Sequence, residues 1–183
     1  PKTNRRVWTK KYISWLHSIQ ESNNDITLSL LLRELTSLQE LSKIALAEIK
    51  ELSENPLFQK DIELLQSVPG IGLLSGMILL VEIGDIKRFK TLDKLCSMAG
   101  LIPNTNSSGE QERVGEMTQR GRKELRTILV ESSWVAIGKD TELSLSYNEY
   151  CKRMKPTEAI VKIAKKILNR IRSSKNRSGH FNV

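Results

Sequence analysis

Histidine and cysteine are scarce, at two each in 183 residues. His17 and His180 lie near opposite ends of the chain, which argues against a histidine triad or an imidazole metal site. Cys96 and Cys151 form no CxxC knuckle and no disulfide framework, so both read as reduced, buried thiols. No apolar run is long enough for a membrane. The longest, Ile71 to Ile83, is broken by Gly and Ser and falls short of a bilayer's thickness. No secretory signal is visible, so the protein is expected in the cytoplasm. An initial Met is also missing: the chain opens at Pro1 and reads as part of a longer protein.

What is abundant is positive charge. Lys and Arg outnumber Asp and Glu by 29 to 21, a formal net charge of +8. A basic chain of this kind attracts polyanions directly and gains further from counterions released by phosphates. The charge is uneven. Residues 1–22 hold Lys2, Arg5, Arg6, Lys10 and Lys11, with no acid before Glu21. Trp8, Tyr12 and Trp15 are interleaved with them. That mixture suits a nucleic-acid backbone, while the spacing of four and three equally suits one helical face docked on a core.

Residues 25–54 read as one long helix. Leu28, Leu31, Leu35, Leu38, Ala45, Ile49 and Leu52 follow alternating three- and four-residue steps, with Ser42 the polar interruption. The pattern supports a coiled coil or a helical hairpin, and is read as a coiled-coil-like arm expected to serve self-association into a homo-oligomer. An ordinary long helix packed within one domain is the plainer reading. Leu32, Leu41, Ile44 and Leu46 widen the stripe, and Asn55-Pro56 ends it.

Next comes a sharper signal. A short helix ends at Leu64-Leu65-Gln66-Ser67, Val68-Pro69-Gly70-Ile71-Gly72 follows, and a second apolar helix runs from Leu73 to Ile83. This is the pattern of a helix–hairpin–helix. Gly70 and Gly72 permit a tight turn and close backbone approach. The N–H groups opening the second helix suit a phosphate, without reading base sequence. Lys87, Arg88 and Lys90 follow as further phosphate candidates. The bland alternative is a mere αα-hairpin turn. A third helix, Leu92 to Ala99, closes at Gly100.

Residues 101–121 are irregular, with room for a short β-hairpin around Gly109 to Met117. Arg122 to Ile137 is helical, with Leu125, Ile128, Leu129, Ser132, Val135 and Ala136 on its buried side. Residues 139–177 add one or two helices, and Pro156 suits a helix start. There Ile160, Ile163, Ala164, Ile167 and Ile171 oppose Lys162, Lys165, Lys166 and Arg170. From Lys152 to Arg177 ten basic residues face one acid, Glu158. The expected class is mainly α. A basic segment and arm (1–56) precede a helix–hairpin–helix domain (57–177), and a frayed tail begins near Ser173, disordered over 178–183.

Two pieces of this sequence, in this order, resemble a known family. One is LLQSVPGIGLLSGMILLVEIGDIKRF with LCSMAGLIP; the other is Ser108-Gly109, Gly115, Gly121 and Leu125-Arg126 within SGEQERVGEMTQRGRKELR. Together they resemble the transposase domain of the insertion-sequence family numbered one hundred and ten. The resemblance covers about a third of the chain, Leu64 to Arg126. It implies a bacterial or archaeal, nucleoid-associated DNA recombinase in two halves. A RuvC-like half would carry a DEDD carboxylate set for magnesium; the other half, to which this chain would correspond, supplies a serine. No DEDD set is found here, so this chain is expected to bind no cofactor itself and to be inactive alone. DNA is the implied partner, with a guide (bridge) RNA in some members.

The family's serine precedes the glycine of the SG pair, which places it on Ser108, with Ser107 the adjacent alternative. The chemistry is coherent: a serine that attacks phosphorus keeps the phosphodiester energy in a phosphoserine ester, later attacked by a sugar hydroxyl. The developing charge needs cations, for which Arg113, Arg120, Arg122, Lys123 and Arg126 are the candidates. Gly115 and Gly121 would let backbone amides approach the phosphate. The competing reading is a non-catalytic helix–hairpin–helix DNA-binding module with a coiled-coil arm.

Overall fold

The structure, a computed structural model, describes residues 8–106, 113–117 and 121–178. It is mainly helical, as expected. The order is α1 (Lys10–Asn23), α2 (Ile26–Glu54), α3 (Gln59–Gln66), α4 (Leu73–Ile83), a 3-10 turn (Ile86–Arg88) and α5 (Leu92–Met98). Strands β1 (Pro103–Asn106) and β2 (Arg113–Met117) follow, then α6 (Lys123–Ile137), α7 (Thr141–Cys151) and α8 (Pro156–Ser178). By compactness the chain divides into two units, residues 1–48 and residues 49–183.

In the first unit, Thr9 opens α1 by accepting the Tyr12 N–H at 3.2 Å, and Asn24 ends it at φ 48°. Asp25 then accepts the Leu28 N–H at 3.0 Å and opens α2. α1 buries none of its residues. Trp8, Tyr12 and Trp15 stack on one another instead, with centroids 6.4 and 5.5 Å apart. Trp8 is exposed while Tyr12 and Trp15 are half-buried, so none of the three rings is fully enclosed in a core.

α2 runs unbroken for 29 residues, in keeping with the single long helix expected over residues 25–54. Leu32 is buried, yet Leu31, Leu38, Leu41, Ile44, Leu46 and Leu52 are exposed. The apolar stripe read from the sequence is therefore present, and most of it faces solvent.

The second unit has a real core, and α8 is its spine. Ala159, Ile160, Ile163, Ala164, Ile167, Leu168 and Ile171 are all buried along one side of that helix. They pack against α6, α7, α5, α3 and the 3-10 turn. Each fully buried Leu or Ile contributes about 1.5–3 kcal/mol relative to exposure. α6 buries Leu125, Leu129, Ser132, Ser133 and Ala136; Val135, expected inside, is turned out to solvent while its neighbour Ala136 takes the tight contact. Ser133 satisfies its buried hydroxyl by donating to the Leu129 carbonyl at 2.6 Å. Continuous helix to Ser178 replaces the fraying expected from Ser173, in keeping with the good helix formers Lys175 and Arg177; the rest of the tail lies outside the described residues.

β1 and β2 pair antiparallel, Thr105 with Val114 and Asn106 with Arg113, with an irregularity between Pro103 and Thr105. The predicted hairpin is thus wider than 109–117. Its first strand lies ahead of Ser107.

Candidate functional site

The turn between α3 and α4 was the first expected DNA contact. α3 is a short amphipathic helix that buries Asp61, Ile62 and Leu65, and α4 buries Gly76, Leu79, Leu80 and Ile83. Gly70 sits at φ 90°, open only to glycine without strain. Its missing side chain makes room for α6: a Cβ there would overlap the Ser132 carbonyl oxygen and lie 3.0 Å from Ala136 N and Cβ. Gly70 therefore fits the hairpin to α6. Gly72 differs: nothing lies within 4 Å of a Cβ built there, it is exposed, and it caps α4 with no side-chain bond. The first N–H groups of any helix lack intrahelical acceptors. Of the two glycines, only Gly72 borders open space where a phosphate would fit.

A second glycine pair sits at the root of the strand loop. Gly100 has φ 64°. A Cβ on Gly121 would collide with Gly100 N and Cα, and one on Gly100 would lie 3.2 Å from Gly121 Cα. The Arg122 N–H donates to the Met98 carbonyl at 3.0 Å across the same root. Arg122 also pairs with the Glu82 carboxylate and donates to the Glu82 carbonyl at 3.2 Å, at the end of α4. The Arg126 guanidinium lies against Gly100, with Cζ and Nε each 3.4 Å from a Cβ built there. Among the described residues Arg126 forms no ion pair.

The cationic candidates thus separate. Arg170 donates to Asp140 at 2.6 Å and Glu142 at 2.8 Å, joining α8 to the start of α7. Asp140 in turn caps α7 by accepting the Leu143 N–H at 2.9 Å. The Arg170 hydrogen bond, then the Leu143 N–H, hold the Asp140 carboxyl below its ordinary value, and Asp140 raises Arg170 in return. Lys166 donates to the Ser146 hydroxyl at 2.9 Å. Lys162 and Lys123 project into solvent. Lys87 and Arg88 lie exposed on the 3-10 turn, Arg88 with its guanidinium 4.7 Å over the Phe89 ring.

One cation pairing was not foreseen. Arg172 donates to the Lys90 carbonyl at 3.0 Å, which brings the end of α8 beside the basic 3-10 segment. Only the surplus of basic residues in both segments hinted at it. Ser107, Ser108 and Arg120 lie outside the described residues, as does Gly109; Arg113 and Gly115 are described only as strand backbone. Burial pushes the Cys96 thiol up, consistent with an inert core cysteine. Among the described residues no group of three His, Cys, Asp or Glu side chains is placed to hold a metal ion. No described helix is long and apolar enough to cross a membrane.

This helical unit, with its glycine-fitted hairpin, is similar over part of its length to a transposase domain. Residues 62–148 match the model of the transposase IS116/IS110/IS902 family. The chain is also similar to the insertion element IS110 uncharacterized 43.6 kDa protein of Streptomyces coelicolor. They are 31% identical over 143 residues, covering 77% of this chain and 34% of that protein. It is similar to the transposase for insertion sequence element IS1111A of Coxiella burnetii, 32% identical over 84 residues, 46% of this chain and 23% of that one. The chain thus spans about a third or less of the length of these relatives.

Proposed function

We propose that this chain is the DNA-handling and serine-bearing domain of a transposase, acting in strand cleavage and transfer within a longer protein. The observation that carries the proposal is the family match over residues 62–148, a range that includes Ser108. In the proposed reaction the Ser108 hydroxyl loses its proton and its oxygen attacks phosphorus. The bond from phosphorus to one sugar oxygen breaks, and that oxygen leaves as a hydroxyl. A sugar hydroxyl of the partner strand then attacks the phosphoserine, and the serine hydroxyl is restored. No bond energy is lost, so no external energy source is needed.

Arg126 is the favoured cation for the phosphate, because it stands at the loop root without an ion pair among the described residues. Arg122 and Arg170 are held by acids of the fold and are weaker candidates. Gly72, Lys87, Arg88, Lys123 and Lys162 serve duplex binding in this reading. Any magnesium would be held by carboxylates elsewhere in the full-length protein, and a guide RNA would be bound there or shared. The exposed leucines of α2 would be covered by a second copy of the same helix.

The test uses full-length protein and a DNA bearing a transposon end. Ser108→Ala should abolish the covalent protein–DNA adduct on a denaturing gel while duplex affinity is kept; Ser107→Ala should leave the adduct. Adducts that persist in Ser108→Ala would mean the serine is elsewhere. DNA binding with no adduct from any variant, wild type included, would favour the non-catalytic binding module.

A further inference from the structure

We propose that Gly100, Gly121 and the Arg122–Glu82 ion pair form a positioning clasp that sets the strand loop for the covalent step; this rests on the serine reading above. The loop leaves α5 at Gly100 and returns at Gly121, and the two backbones touch at that point. Three ties converge on two consecutive residues, Gly121 and Arg122. Gly121 abuts Gly100 so closely that a single Cβ cannot fit. The Arg122 N–H reaches Met98, and the Arg122 side chain reaches both the carboxylate and the carbonyl of Glu82.

The ties anchor the loop to the ends of two different helices, α4 and α5. Neither end is free to drift. Gly100 is buried behind Leu101 and Ala99, both at 0% exposure, and Ile83 beside Glu82 is buried at 2%. β1 begins two residues beyond Leu101, so a shift at the root is passed directly into the strand pair. Strand transfer demands an attacking oxygen placed within a fraction of an ångström, and a displacement of about 1 Å can cost on the order of a hundredfold in rate. Gly121 had been read from the sequence as a glycine that lets amides approach a phosphate. In the structure its bare Cα faces Gly100, which gives it a mechanical rather than a ligand role.

None of the clasp residues needs to touch DNA, so its signature is a rate that falls while affinity holds. In full-length protein, Gly121→Ala should slow adduct formation about tenfold or more with the duplex Kd unchanged. Hydrogen exchange over residues 103–117 should rise, while exchange in α8 stays as in wild type. Arg122→Glu should also slow the adduct, and the charge exchange Arg122→Glu with Glu82→Arg should restore most of the rate. That rescue separates the clasp from a phosphate contact, because a glutamate at 122 cannot bind phosphate.

A wild-type adduct rate in Gly121→Ala would overturn the proposal. So would failure of the charge exchange to rescue, or an affinity that falls in step with the rate. If Gly121→Ala unfolds, the exposed Arg122–Glu82 pair decides the matter alone. If Ser108→Ala still forms adducts, the serine reading is lost. Exchange over residues 103–117 then judges the clasp by itself.

Discussion

α2 and α8 are the two longest helices described, 29 and 23 residues, and each carries an apolar stripe at helical spacing. Their fates are opposite. α8 inserts its stripe into the middle of the second unit, where Ile163, Ile167 and Leu168 are at 0% exposure. α2 leaves Leu38, Leu41 and Ile44 more than half exposed. The more basic helix is the better buried one. Periodicity reports that a helix has an apolar face, whereas only the neighbouring elements determine whether that face is covered within the chain.

The strongest way to break this comparison is a matched pair of truncations. Ile167→Ala should destabilise the second unit by about 3 kcal/mol, because a fully packed site keeps part of the cavity. Leu38→Ala should move the monomer's stability by about 0.5 kcal/mol or less. Its effect should appear instead as weaker self-association in analytical ultracentrifugation. Equal thermal losses in the two variants would mean that α2 is packed inside its own chain after all.

A smaller effect sharpens the account of how α8 is held. Asp140→Asn keeps a side-chain cap for α7 but removes the charge that Arg170 faces. The expected loss is about 1–2 kcal/mol at neutral pH. The folded Asp140 carboxyl lies below its ordinary value of 3.8, so its contribution is present above that value and is lost as pH falls through the folded one. Denaturant melts of wild type and Asp140→Asn should therefore converge as the pH is taken below the ordinary carboxyl value and through the folded one. Curves that stay parallel would show that the charge contributes nothing. The smallest expected effect concerns the outer face of α8. Lys162→Ala should lower the salt slope of duplex binding by about one, as for one lost phosphate contact. Lys166, tied to Ser146, should change it less.

Much of the fold was legible because its signals are local. The bounds of α4 follow from Gly72 and Gly84, the start of α8 from Pro156, and the end of α2 from Asn55-Pro56. What stayed hidden depends on residues distant in sequence. Gly70 looked like a ligand-facing turn glycine until Ser132 and Ala136 were found against it. Arg122 and Arg170 looked like free cations, and sequence cannot show that Glu82, Asp140 and Glu142 fold back to meet them. The site is legible only in part, for the serine proposal rests on family resemblance and Ser108 lies outside the described residues, while the Gly100–Gly121 contact rests on geometry. The strand pair was sensed but placed too narrowly, because Pro103 and Asn104 do not announce a strand.

The placement of α8 also carries a consequence for synthesis. α3, α5 and α6 all rest on a helix that follows them in the chain. While a ribosome is still making the middle of this protein, α3 and α6 can meet α4, but all three segments lack the surface that α8 supplies. Their leucines remain available to chaperones, or to one another, until the stretch from Ile160 to Ile171 emerges. Assembly of this unit is therefore a late and collective event, slow in the way that distant contacts make folding slow.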